Sequence, residues 1–217
     1  MKTIRKLLIL CLLALPASAL AFTVEVLDTR LIHLPGEPII AKRVQVWMSP
    51  CQPINELEGF AQQEDMAADF RFEDLTLDGL PDLLVPWAQG ASNMYYTLYP
   101  YDEGSGAFRS APVSSVLLCN HEVLRDKGLI HTQESLGLAG LLRQESLYAW
   151  QGEDLAQVRH LLCQENELQP GILSARVYDN AQLVWEKEIP LEEALEMEET
   201  AGSLMREAED IFWQGYR

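Results

Sequence analysis

The sequence predicts a mainly β fold, an antiparallel sandwich or propeller-like array of sheets with an amphipathic C-terminal helix. Three observations predict it. Apolar residues recur with period two along most of the chain, and turn residues interrupt these runs about every ten positions. Helical spacing appears only after Pro190. A parallel α/β architecture is disfavoured, because no helical segment separates successive strands.

The first element reads as an address. Lys2, Arg5 and Lys6 precede an apolar stretch over 7–15, Pro16 breaks it, and Ala19 and Ala21 place small residues before Phe22. Residues 1–21 are therefore expected to be a signal peptide, too short in its apolar part to anchor in a bilayer. Leu10 precedes Cys11 where lipoprotein processing wants a small residue, so lipidation is not expected. A periplasmic location without membrane insertion follows.

A single mainly β domain is expected over 22–189. Strand-like runs cover 22–26, 44–48, 68–72, 83–87, 95–101, 113–119, 142–150, 155–163, 172–178 and 183–189. They are punctuated by Asp78-Gly79, Gly104-Ser105-Gly106, Gly152, Pro170-Gly171 and Asp179-Asn180. The last of these reads as a hairpin turn. Trp47, Trp87, Trp150 and Trp185 each lie in such a run and are expected to be core or half-buried. On an extended strand Tyr95, Thr97, Tyr99 and Tyr101 share one face, either a surface for sugar or protein or ordinary cross-strand packing.

Over 190–217 the pattern changes. Leu191, Leu195, Leu204, Met205, Ala208, Ile211 and Phe212 recur at helical spacing with glutamates between them. This predicts an acidic helix packed on the sheet, with Gly202 as the expected break between two helices.

Lys and Arg total 16 against 33 acidic residues, a net charge of -17. Removal of the leader leaves 13 bases against 33 acids, which is -20 on 196 residues. Such a surface repels phosphates, which excludes a general nucleic-acid binder and disfavours anionic lipid. A charged partner is expected to be a basic protein. Cys51, Cys119 and Cys163 remain after leader removal, and an exported chain is expected to form one disulfide among them, leaving one buried thiol. Three pairings are open.

One segment carries a specific chemical signal. Asp74, Thr76, Asp78 and Asp82 put side-chain oxygens at positions 1, 3, 5 and 9 of a tight loop, Gly79 permits the turn, and the Leu80 carbonyl adds an oxygen. Calcium takes about six to eight oxygens at roughly 2.3–2.6 Å, and alternate residues of a curled loop deliver them to one point. These five residues are the candidate ligands of a structural Ca2+. The same run also suits a metal-free Asp-Gly turn.

The run from Phe72 through Asp74, Thr76, Asp78-Gly79 and Pro81 to Asp82-Leu83 resembles the calcium loop of FG-GAP-type β-propeller blades. Tyr95-Tyr96, Leu98-Tyr99, Gly104, Gly106 and Phe108, then Leu147-Tyr148, Trp150, Gly152 and Leu155, widen the similarity over roughly 40–165. The whole is similar to exported FG-GAP-like immunity proteins that inhibit peptidoglycan hydrolases delivered by rival bacteria. Thr76 stands where that family has Asn or Asp, which implies weaker calcium binding. Only one such loop is present, so a complete propeller of repeated blades is not expected.

Catalytic motifs are absent: no Gly-x-Ser-x-Gly elbow, no His-Glu-x-x-His, no phosphate loop. Cys119, His121 and Glu122 show no orienting acid or oxyanion hole, so no enzyme is expected. The function expected is that of an exported, soluble binding protein, an immunity-type inhibitor of a secreted peptidoglycan hydrolase. The alternative is a calcium-stabilised envelope accessory or glycan-binding module. The loops 89–94 and 102–108, expected beside the calcium-type turn, are the candidate contact regions.

Overall fold

A computed structural model describes residues 9–10, 22–33, 38–48, 52–61, 70–109, 113 and 117–216. The chain divides into two compact units, Met1–Leu118 and Cys119–Arg217. The strands expected to build one domain over 22–189 are thus shared between two units. Both are antiparallel, the fold is mainly β, and none of the sheets closes into a barrel. Among the described residues no helix is long and apolar enough to cross a membrane.

Unit 1 opens with the two-residue strand β1 (Ile9–Leu10), which pairs with β2 (Phe22–His33). The rest of the expected leader, with its cleavage site, lies outside the described residues. β3 (Pro38–Met48) and β4 (Gln52–Ala61) complete a four-stranded meander. A second sheet contains β5 (Arg71–Glu73), β6 (Asp82–Gln89) and β7 (Met94–Tyr99). β8 (Tyr101–Asp102) and β9 (Ala107–Phe108) form a small hairpin. β10 (Leu118–Cys119), whose residues straddle the boundary, borders β7 in the second sheet.

Period two explains the core of this unit. Phe22, Val24, Val44 and Val46 face Phe72, Leu83, Val85, Tyr99 and Phe108, and all nine are buried. Phe22, expected to be the first residue after the leader, is 2% exposed and stacks on Phe72 with ring centroids 5.3 Å apart. Its burial is worth roughly 1.5–3 kcal/mol. β6 and β7 are closed on both faces, so their apolar runs are near continuous where alternation was read.

Unit 2 is a six-stranded meander. Its strands are β11 (Glu122–Leu124), β12 (Leu129–Gly137), β13 (Leu142–Gln151), β14 (Asp154–Glu165), β15 (Ile172–Asp179) and β16 (Gln182–Pro190), paired in chain order. The turn between β15 and β16 is the expected hairpin. Asp179 pairs with Gln182, and the two loop residues Asn180 and Ala181 take φ of 46° and 63°. Two positive φ values make a turn whose twist matches that of the strands.

The helices α1 (Leu191–Glu196) and α2 (Glu198–Phe212) cover one face of this sheet. Leu204, Met205, Ala208 and Phe212 repeat at helical spacing and meet Leu161, Cys163, Leu173, Ala175 and Val177. The break expected at Gly202 falls instead at Met197, whose backbone is extended at φ -119° and ψ 89°. Gly202 sits inside α2. Its cost there is only about 1 kcal/mol, which the buried Leu204 and Met205 beside it outweigh. Leu195, read as core from its spacing, is 57% exposed.

Of the cysteines, Cys163 is a free, buried thiol, with its pKa pushed up to about 11 by burial. That removes the two disulfide pairings that involve it. Cys119 is buried, and Cys51 lies outside the described residues.

Candidate functional site

Residues 74–81 form the turn between β5 and β6, and Asp82 and Leu83 open β6. Leu75 is fully buried and plugs the loop into the core, while Asp78 and Gly79 stand exposed at its tip. Leu77 and Gly79 take φ of 64° and 91°, which reverses the chain. A Cβ at Gly79 would meet nothing within 4 Å, so conformation and not space selects glycine there.

Asp82 holds this loop together. Its Oδ2 accepts hydrogen bonds from the N–H groups of Leu75 and Thr76, both at 2.8 Å. Its Oδ1 accepts from the Tyr101 N–H at 3.0 Å. The side chain is fully buried, and burial raises its pKa to about 6, against the lowering effect of the three amides; the nearby Asp78 charge adds to the rise. One carboxylate thus ties the loop to the start of the 101–108 hairpin. That hairpin is folded locally in its turn. The Gly104 N–H donates to Asp102 Oδ1 at 2.9 Å, and the Asp102 pKa is lowered, chiefly by the Ser105 side chain and then by that amide.

The five candidate calcium ligands are therefore near one another in the chain but differ in use. Asp82 is engaged by three amides. Asp78 Oδ1 accepts from the Leu80 N–H at 2.8 Å, an Asx-type turn at the exposed tip. Among the described residues no three His, Cys, Asp or Glu side chains gather at metal-holding spacing. Thr76 does fit a cation: its Oγ1 is buried without a hydrogen-bond partner. A buried hydroxyl in that state costs about 1–3 kcal/mol, which a hard cation would offset. Asp74 Oδ1 is buried as well.

The two loops expected beside this turn separate. Leu83 pairs with Tyr99 at the turn end of the β6–β7 ladder, and Gln89 pairs with Met94 at the other. The 102–108 loop therefore lies beside the 74–82 turn, through Tyr101, whereas the 89–94 loop lies at the opposite end of the sheet. A strand of eight residues spans roughly 25 Å. The tyrosine face is closed at its middle, where Tyr99 is fully buried and Thr97 is 9% exposed, while Tyr95 and Tyr101 at its ends are half-buried.

Unit 2 carries two polar clusters that the sequence did not announce, because each joins residues from different strands. On the face under the helices, His131 Nε2 lies 3.1 Å from Glu145 Oε2, and Arg143 Nη2 lies 3.1 Å from Glu145 Oε1. The same Arg143 nitrogen pairs with Glu209 of α2, which pins the helix to the sheet. On the other face the row Thr132, Ser146, His160, Tyr178 runs across four strands. Ser146 Oγ is 3.1 Å from His160 Nδ1, and Gln157 Nε2 donates to Ser146 Oγ at 2.9 Å. Burial lowers the His160 pKa, so the neutral ring is favoured. Ser146 is only 4% exposed, and among the described residues no carboxylate orients His160. The row has the chemistry of a satisfied polar ladder.

No protein-family model matches the sequence, and no curated protein does. Among solved structures the chain is similar to one described as a Xanthomonas type IV secretion system related protein. The likeness is at 15% identity, over 79% of this chain and 90% of that one, with a TM-score of 0.46.

Proposed function

We propose that the protein is an exported binding protein that acts by occlusion, an immunity-type inhibitor of a secreted, basic peptidoglycan hydrolase. The observation that carries this reading is the pair of loops tied by Asp82. The exposed tips at Asp78-Gly79 and at residues 103–106 stand on one end of a double-sided core and share one buried carboxylate. Loops held this way bind without an ordering cost, which is what a plug for an active-site groove needs. The charge of -17 suits a basic partner and raises encounter rates. Calcium, in this reading, is a structural ion that the buried Thr76 hydroxyl would take with Asp74, Asp78 and the Leu80 carbonyl, while Asp82, engaged by three amides, positions the loop around it.

The glycan-binding alternative draws less support from the tyrosine face, since Tyr99 and Thr97 at its middle are buried and only Tyr95 and Tyr101 at its ends are half-exposed. The test is expression in the periplasm with and without residues 1–21, in cells challenged with a periplasm-targeted lytic enzyme encoded beside this chain. Protection is expected only with the leader. Purified protein that neither binds nor inhibits such an enzyme, yet retains a specific glycan, would return the alternative.

A further inference from the structure

Strand β16 ends the six-stranded sheet of unit 2, so among the described residues half of its backbone N–H and C=O groups face outward with no strand to meet them. It is nine residues long, whereas the opposite edge, β11, has three. Seven of the nine residues are exposed, all but Trp185 and Ile189. The ladder matches Val177 with Trp185 and Tyr178 with Leu183, which leaves Val184 as a bulge. Pro190, which lacks an N–H, closes the other end. Between bulge and proline, residues 185–189 form a regular five-residue edge.

The charges on this edge select its occupant. Glu186 and Glu188 share one face, where Arg176 lies between them and the Asn166 amide donates to Glu188 at 2.7 Å. Lys187 occupies the other face and pairs with Glu207 of α2 at 2.6 Å. A second copy fits badly. Two antiparallel copies related by a two-fold axis must pair residues on the same face. A register centred on Glu186 or on Glu188 sets that glutamate against itself, and one centred on Lys187 sets Glu186 against Glu188 twice. Like charges directly opposite destabilise a strand pair. The wider surroundings are of one sign: from Gln182 to Asp210 there are ten acidic residues against Lys187 and Arg206.

We infer that residues 185–189 accept an extended basic segment of a partner protein as an added β-strand, with Lys or Arg at alternate positions beside Glu186 and Glu188. Backbone hydrogen bonds to the edge supply affinity, and the alternation of charge sets register. This inference concerns unit 2 alone and does not rest on the reading of the Asp82 loops.

The test uses the full chain and three synthetic peptides. One alternates Lys with Val or Thr over seven residues, one replaces its Lys by Glu, and one replaces its central Val by Pro. Hydrogen exchange should show the Lys peptide protecting outward-facing amides within 185–189. Proline interruption should abolish that protection, and the Glu peptide should not bind. Paired Glu186→Lys and Glu188→Lys substitutions should weaken the Lys peptide about tenfold, the size expected of two exposed ion pairs. The same variant should gain affinity for the Glu peptide, which also shows that it folds. Binding without protection at 185–189, equal binding of the proline peptide, or no binding at all overturns the inference. So does a concentration-dependent dimer that protects the same amides without peptide.

Discussion

The Tyr101 N–H donates to Asp82 Oδ1 at 3.0 Å across nineteen residues of chain, and this bond joins two loops that composition alone would treat as separate turns. The same carboxylate holds Leu75 and Thr76 through its other oxygen. Asp82→Ala would leave three amides without their acceptor, one of them the buried Leu75 N–H. At about 1–3 kcal/mol for each buried unsatisfied group, partly relieved by water, a loss of roughly 3–5 kcal/mol is expected. Asp82→Asn keeps one acceptor oxygen and should lose less. Denaturant melts measure both, and losses below half a kcal/mol would show that the loops are not joined through this side chain.

A second prediction concerns calcium. A cation that binds only the folded chain stabilises it by about 2.7 kcal/mol at a hundredfold excess over Kd. Melting with millimolar calcium and with chelator should then differ by several degrees. Thr76→Val removes the orphan hydroxyl at nearly constant shape. It should erase the calcium increment and leave the metal-free stability equal or higher, because the unmet buried hydroxyl is gone. Asp78→Ala should erase the increment too. Identical melts of the parent chain in both buffers would leave the loop as a simple turn.

Much of the fold was legible because its signals are local. Asn180 and Ala181 make the β15–β16 turn where Asp179-Asn180 marked it, and the strands around Phe22 and Leu161 follow period two. Strand β12 was not read, since His131, Thr132, Gln133 and Glu134 show no apolar alternation. Its inward His131 faces Glu145 instead of a hydrocarbon partner, and that pairing spans fourteen residues. β4 escaped for the same reason, since the buried Leu57 stands in sequence among the polar Asn55, Glu56 and Glu58. The 74–82 loop was legible as a loop. The work of Asp82 was not, because it depends on a strand that arrives only at Tyr101.

The network under α2 gives a third prediction. Arg143 bridges Glu145, which is 5% exposed, and Glu209 of the helix. Removing one partner strands a buried charge, so Arg143→Met should cost about 3–5 kcal/mol. The pair Arg143→Met with Glu145→Leu should recover most of it, as apolar replacement of a whole buried pair is often neutral. Urea melts followed by the fluorescence of Trp213, whose ring lies 5.1 Å from His131, report this region. Additive losses in the double variant would show that the three charges act independently.

His160 supplies a pH dependence. Its pKa is lowered by burial, while the unfolded side chain titrates near 6.5. Below about 6.5 the unfolded chain takes up the proton first, so this residue favours unfolding as pH falls from 6.5 through its lower folded value. The stabilising difference is present above that window and lost within it. His160→Gln should flatten this part of the stability profile between pH 5 and 7.5, relative to the parent chain. An unchanged difference between the two proteins across that range would show that the ring titrates normally.

The last prediction addresses recognition. If the tied loops plug a basic lytic enzyme, charge should act on encounter and loop shape on residence. Lowering ionic strength from 0.15 M to 0.01 M lengthens the Debye screening distance from about 8 Å to about 30 Å, so the association rate should rise by tenfold or more. The dissociation rate should change little. Asp78→Lys and Glu103→Lys place positive charge on the two exposed tips and leave the three amide bonds of Asp82 and the buried core side chains in place. Together they should slow association and weaken inhibition. The stability of unit 1 to chemical denaturation, measured in chelator so that the Asp78 calcium ligand does not enter, should fall by no more than about 1.5 kcal/mol, the size of the lost Leu80 N–H to Asp78 bond. A double variant that inhibits as well as the parent, with the same salt slope, would place the contact surface away from these loops. Stopped-flow association with the enzyme encoded beside this chain, alongside turbidity assays of cell-wall lysis, reads both outcomes.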